Sequence, residues 1–204
     1  MNLIAVSQRI DIHHNCNETR DSLDQRLVEF LFVAGYQSVP VPNFLEMKLI
    51  KEEKYKHIDN WLMRIRPKGI VLSGGNDIGE FSNRDLVEKG LLVYAKKEKI
   101  PLLGICRGMQ MMAIFDGIEL HVVKEHVRTK HKVIGEINRT TNSFHNFSLA
   151  MCSNNYKVLA KSEDGEIEAI RHLTLPWEGW MLHPEREEIF NNKDIERIRN
   201  LFSF

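Results

Sequence analysis

The sequence predicts an α/β fold, a mostly parallel sheet flanked by helices, with an additional antiparallel strand region in the C-terminal half. Two patterns and a length support this. Short apolar runs alternate with helical patterns through about the first 115 residues. After Gly117, strand-like runs follow one another with only Gly, Asn and Asp turns between them. The 204 residues carry no internal repeat, low-complexity stretch or linker, so residues 1–204 read as one domain with a full core.

Leu3 to Val6 is the expected first strand. Residues 21–34 place Leu23, Leu27, Phe30, Leu31 and Ala34 at helical spacing, with Gly35 positioned to end the helix. Ser38 to Val41 reads as a strand that Pro40 and Pro42 confine to an edge or an early end. A charged helical stretch around residues 54–66 leads into GIVLSGG (69–75), a strand that runs out into glycines. Residues 84–99 are helical, with Leu86, Leu92 and Val93 available for packing and lysines crowding the C-terminal end. Pro101 to Ile105 is a strand and Arg107 to Phe115 a helix. KVIGEI, YKVLAKS, EIEAIRH and GWMLH supply later strands, two of them joined by a hairpin at Glu163-Asp164-Gly165. An amphipathic helix from Asp194 closes the chain on Ile195, Ile198, Leu201 and Phe202.

Composition excludes several function classes. Lys plus Arg equals Asp plus Glu at 28 each, so no net field draws the chain to nucleic acid or to a membrane surface. No run approaches the roughly 18–20 apolar residues of a membrane span, and the N-terminal apolar run is too short for a signal peptide. Cys16, Cys106 and Cys152 are too few for a disulfide framework, which makes a reduced, cytoplasmic setting the expectation.

Within LLGICRGMQ, a strand, a Gly-x-Cys-x-Gly turn and a helix follow in immediate succession. This is the pattern of a nucleophile elbow, with Cys106 in the nucleophile position at a helix N-terminus that favours a thiolate. A packed core cysteine is the competing reading, because free cysteine is commonly buried. A thiolate needs a base. In LHPE, Pro184 holds His183 extended, and alternation then puts Glu185 on the same side to orient the imidazole. Cys106, His183 and Glu185 thus have the logic of nucleophile, base and orienting carboxylate. The backbone N–H of Arg107, directly after the nucleophile, and that of Gly75, in LSGGND, are candidates for an oxyanion hole.

GICRGMQ, LSGGND, TNSFH and LHPE, in this order and spacing, resemble the class I glutamine amidotransferase superfamily. SGGNDI followed by RDLVEKGLL, and later DGEIEAI, are similar to its free-standing γ-glutamyl hydrolase branch. The resemblance spans most of the chain. It implies a flavodoxin-like fold, no cofactor, and hydrolysis of a small-molecule γ-glutamyl amide through a glutamyl-thioester on Cys106, releasing glutamate and an amine or phosphoramidate. It carries over Cys106, His183 and Glu185 as the triad and Gly75 and Arg107 as oxyanion donors. Gln110 matches a glutamyl contact, Ser143, Phe144 and His145 match a loop closing over the amino-acid end, and Arg84 matches an arginine beside the site. Three departures fall on pocket-shaping positions: Asn146-Phe147 after His145, Asp116-Gly117-Ile118 after the elbow helix, and Met181-Leu182 before HPE.

The segment HVVKEHVRTKHK (121–132) collects three histidines and four basic residues. Its histidine spacing matches no common metal-binding helix face, so no metal is expected, and the segment reads either as a solvated basic loop or as an anion-binding patch for a phosphate-bearing leaving group. Two rival functions remain in view. One is a glutaminase subunit that delivers ammonia to a synthetase partner; the other is a non-enzymatic member of the fold.

Overall fold

The computed structural model describes residues 2–45 and 55–203. Strand β1 (Asn2–Ser7) is followed at once by a hairpin, β2 (Arg9–His13) and β3 (Glu18–Ser22). The hairpin corrects the expected helix start at residue 21. Helix α1 (Gln25–Val33) begins only after Asp24, whose carboxylate accepts the Arg26 N–H at 2.9 Å, and the chain turns away at Gly35 with φ +100°. Leu27, Phe30, Leu31 and Ala34 are buried on the expected spacing. β4 (Tyr36–Val41) pairs only with β1, so Pro40 lies on an edge strand, where a missing N–H is tolerated.

Then come α2 (Lys56–Ile65), β5 (Gly69–Leu72), α3 (Ser82–Glu98), β6 (Leu102–Ile105) and α4 (Arg107–Phe115). Residue 54, the first of the expected helix around 54–66, lies outside the described residues. Helix α3 buries Arg84, Val87, Glu88, Leu91, Leu92 and Ala95; of the three residues expected to pack, Leu92 is buried, Leu86 is half-buried and Val93 is 37% exposed. Arg84 and Glu88 add two charges to the buried face, which the sequence reading does not assign to it.

The C-terminal half holds β7 (Leu120–Val122), β8 (Val127–Gly135), β9 (Arg139–Phe144), β10 (Phe147–Leu149), β11 (Tyr156–Ser162), β12 (Ile167–His172), β13 (Trp177–Trp180) and α5 (Asn192–Leu201). Residues 127–132 of the expected basic loop therefore belong to a strand, and Ser143 and Phe144 end another. The main sheet runs β4-β1-β5-β6-β13-β12-β11-β8-β9. Its first five members are parallel and, numbered among themselves, lie in the flavodoxin-like order 2-1-3-4-5; the remaining four are antiparallel. Helix α5 buries Ile195, Ile198, Leu201 and Phe202, the last lying over Gly69 of β5, where any Cβ would come within 2.5 Å of its ring.

This topology positions the site. Leu72 of β5 registers with Gly104 of β6, and Ile105 of β6 with Trp180 of β13. The residues that leave these three neighbouring strands at their C-terminal ends are Ser73–Gly75, Cys106 and Met181–His183. Open α/β sheets place ligands at that end.

Candidate active site

Cys106 sits between β6 and α4 with φ 50° and ψ −103°, a conformation that non-glycine residues rarely adopt and that costs about 1–3 kcal/mol. Two bonds hold it there: its N–H donates to the Trp180 carbonyl at 2.6 Å, and its carbonyl accepts the Gln110 N–H at 3.1 Å. The flanking glycines are required by close approach. A Cβ on Gly104 would lie 2.6 Å from the Gly108 carbonyl carbon, and one on Gly108 would lie 2.2 Å from the Leu72 oxygen. The core-cysteine reading is half right, since Cys106 is only 6% exposed, yet simple packing requires no such strain.

His183 is extended, at φ −107° and ψ 90°, as its position before proline requires. Glu185 reaches it by another route than strand alternation, because Pro184–Arg186 form a 3-10 turn that folds the carboxylate back. Glu185 Oε1 lies 2.6 Å from His183 Nδ1, and the imidazole also interacts with the Cys106 side chain. Burial opposes charge on His183, but interaction with the Glu185 carboxylate and with the Cys106 side chain outweighs it, raising its pKa to about 10. Burial likewise works to raise the Glu185 carboxyl, and the His183 charge overcomes this and lowers it. Asn142 clamps the histidine backbone on both sides, accepting its N–H at 3.0 Å and donating to its carbonyl at 2.8 Å. No role is legible for Asn142 from sequence, although it lies inside TNSFH.

The β5 exit is equally constrained. A Cβ on Gly74 would lie 2.7 Å from His183 Cε1, so this glycine makes room for the imidazole, and Gly75 takes φ +91°. Arg107 opens α4, where the helix leaves its backbone N–H without an intrahelical acceptor. Its guanidinium turns inward to ion pairs with Glu88 and, at 2.5 Å, Asp85. Arg84 is fully buried: it donates to the carbonyls of Ser73 (2.9 Å) and Gly74 (3.0 Å) and to Asn76 and Glu88. It braces the glycine loop from beneath, which replaces the expectation that it contacts substrate. Glu88, shared by Ser7, Arg84 and Arg107, is not identifiable from sequence because a buried charge resembles any exposed one on a helix.

Gln110 donates to the Phe147 carbonyl at 3.0 Å and borders a cleft of about 520 Å³ with Ile78 and Phe147. Of the three residues expected to cover substrate, only Phe144 offers its side chain, with its ring edge-on to His183 at 5.6 Å. Ser143 donates its hydroxyl to the His126 carbonyl at 2.7 Å, and the His145 imidazole is buried against His126. A groove of about 580 Å³ beside Phe144 is lined by three basic residues, Arg128, Lys130 and Arg186, and by Asn142, Glu187 and Glu188. A larger cleft, about 810 Å³, lies beside Trp177 and Arg197 and shares no residue with the cysteine end.

Away from the cysteine, His126, His131 and Glu168 bring ligand atoms within 4.8 Å of one another, an arrangement able to hold a metal ion. The expectation of no metal rests on linear spacing. That ground fails here, because the cluster is assembled across the sheet, from the residue just before β8, from within β8 and from β12. No helix among the described residues is long and apolar enough to cross a membrane.

Comparison with known proteins fits this geometry. The glutamine amidotransferase class-I family model matches residues 19–201. The chain is 38% identical over 208 residues to the γ-glutamyl-CDP-amidate hydrolase of Campylobacter jejuni, covering 98% of this chain and 97% of that one. It is 28% identical to a glutamine-hydrolysing GMP synthase subunit of Methanocaldococcus jannaschii, covering 78% of this chain and 81% of that one. Among solved structures, a glutamine amidotransferase from Thermotoga maritima shares the fold with a TM-score of 0.63 at 15% identity, covering 98% of this chain and 83% of that one. The chain belongs to the class I glutamine amidotransferase family.

Proposed function

We propose that the protein hydrolyses a γ-glutamyl amide whose leaving group carries phosphate, with Cys106 as nucleophile. The observation that carries this reading is the strained Cys106 held beside a His183 that is itself locked to Glu185 at 2.6 Å. In the proposed reaction the Cys106 sulfur attacks the γ-carbonyl carbon, and the backbone N–H groups of Gly75 and Arg107 stabilise the oxyanion. His183 gives its proton to the departing nitrogen as the C–N bond breaks, leaving a glutamyl-thioester. The neutral imidazole then takes a proton from water, whose oxygen displaces the sulfur and frees glutamate. Gln110, which borders the cleft with Ile78 and Phe147, and Ser143, Phe144 and His145 are the residues proposed to hold the glutamyl group.

Two things support a phosphorylated leaving group. One relative is named a γ-glutamyl-CDP-amidate hydrolase, and the groove beside Phe144 presents Arg128, Lys130 and Arg186. We expect the purified chain to release glutamate from γ-glutamyl-CDP-amidate far faster than from glutamine or γ-glutamyl-putrescine. Cys106→Ala should lower that rate at least ~10⁴-fold while retaining the wild-type circular dichroism spectrum. Full activity in the variant would remove the mechanism. The similarity to a GMP synthase subunit favours a second reading, an ammonia-delivering glutaminase. Glutaminase activity that appears only with a synthetase present would decide for it.

A further inference from the structure

Behind the segment that ends in Phe144, three imidazoles converge on one buried carboxylate. Glu168 is 0% exposed, and no hydrogen bond of good geometry satisfies either of its oxygens or His131 Nε2 among the described residues. Buried polar atoms are seldom left so. Glu168 owes its direction to a β-bulge: Ala160 pairs with Ala169 and Lys161 with Ile167, leaving Glu168 as the extra residue between them.

The outer nitrogens of two of the histidines are already committed. His126 Nε2 lies 2.8 Å from Asp164 Oδ2, and His145 Nδ1 lies 3.1 Å from the Phe147 carbonyl. Protons on those nitrogens leave lone pairs on His126 Nδ1 and His145 Nε2, which face each other at 3.1 Å. Two facing lone pairs call for a positive charge between them, supplied either by a shared proton or by a metal ion. Glu168 Oε1 stands 3.5 Å from His126 Nδ1, 3.3 Å from His131 Nε2 and 3.4 Å from His145 Nε2. Ligands about 2.1 Å from a tetrahedral zinc are separated by about 3.4 Å, and the Glu168 contacts to His126 and His131 lie close to that figure.

From this geometry we infer that His126 Nδ1, His131 Nε2 and Glu168 Oε1, whose ligand atoms all lie within 4.8 Å of one another, form a site for a divalent zinc ion, with His145 Nε2 beside it. The donor set of two imidazoles and one carboxylate suits zinc over calcium or magnesium, which prefer oxygen shells. Asp164 is the outer partner that fixes the tautomer of His126. The site ties β12 to β8, whose partner strand β9 ends in Phe144.

The test uses the full chain with no polyhistidine tag, expressed in zinc-supplemented medium. Elemental analysis should find about one zinc per chain. Chelation should lower the melting temperature and added zinc should restore it. Cobalt(II) in place of zinc should give tetrahedral visible bands with no thiolate-to-metal charge transfer. Asp164→Asn, at an exposed outer partner, should weaken zinc binding about 10- to 100-fold, and His131→Asn should abolish retention through dialysis. A chain that retains no zinc and whose melting temperature ignores added zinc overturns the site. So does a thiolate band that vanishes in Cys106→Ser, or undiminished zinc binding in Asp164→Asn.

Discussion

Each half of the sheet buries a histidine against a glutamate, and the two pairs differ in what stands opposite. In the parallel half, one imidazole faces one carboxylate at 2.6 Å, and its far side faces a strained cysteine. In the antiparallel half, three imidazoles surround one carboxylate oxygen at 3.3–3.5 Å, with no nucleophile beside them. The pairing alone therefore does not make a catalytic site. Parallel strands that end together bring the Cys106 turn, His183 and the Gly74-Gly75 loop to one edge. The antiparallel strands converge on a closed interior point, where the same groups can only hold something.

The contrast can be broken first at Glu185. Glu185→Gln should lower kcat by about 10²- to 10⁴-fold, because the imidazolium loses the carboxylate that stabilises it. The sign of the pH effect follows from the raised His183. Its proton is secure at neutral pH and is lost as pH rises through about 10, so the wild-type rate should fall on the alkaline side there. Without the Glu185 charge that limb should move toward neutral pH, which a kcat–pH profile of the two proteins reads directly. An unmoved limb would mean that Glu185 acts only through packing. Gly74→Ala comes next. Its Cβ would stand 2.7 Å from His183 Cε1, so the ring must shift, and a loss of about 100-fold in kcat is expected with little change in melting temperature.

The half that carries the proposed triad is largely readable because its residues lie in short contiguous motifs. GICRG contains the turn, the proposed nucleophile and both glycines that the close contacts demand. HPE contains the proposed base and orienter, although the reach from His183 to Glu185 is a 3-10 turn. Arg84 and Glu88 escape because helical charges read as solvent-facing, whereas here they pair with each other and with Arg107 in the core. The β2–β3 hairpin escapes because its residues are mostly polar and exposed, so no buried alternation marks it. The His126, His131, His145 and Glu168 cluster cannot be read from spacing at all. Its members are up to 42 positions apart in sequence, and the bulge that aims Glu168 leaves no compositional trace.

Asn142 joins the halves, since it lies on β9 and holds the backbone of His183. Asn142→Ala should cost about 10-fold in kcat, by freeing the histidine backbone, with KM nearly unchanged. Equal losses in kcat and in binding would place it among the substrate contacts.

The smallest effect is expected in the groove where both halves meet, with Arg128 and Lys130 from β8 and Arg186 from the turn after His183. If this groove takes the phosphate of the leaving group, charge removal there should act on binding and spare the chemistry. Arg128 and Lys130 stand on the surface, where water and salt screen each contact, so a loss of about 3- to 10-fold per residue is appropriate. Arg128→Gln with Lys130→Gln should therefore raise KM for a nucleotide amidate and leave kcat and the weak hydrolysis of glutamine alone. The penalty should shrink as salt is raised, because the wild-type advantage is electrostatic and the neutral variant has little left to screen. A loss shared equally by glutamine would mean that β8 acts through the fold. The antiparallel half would then support the catalytic edge without taking part in substrate choice.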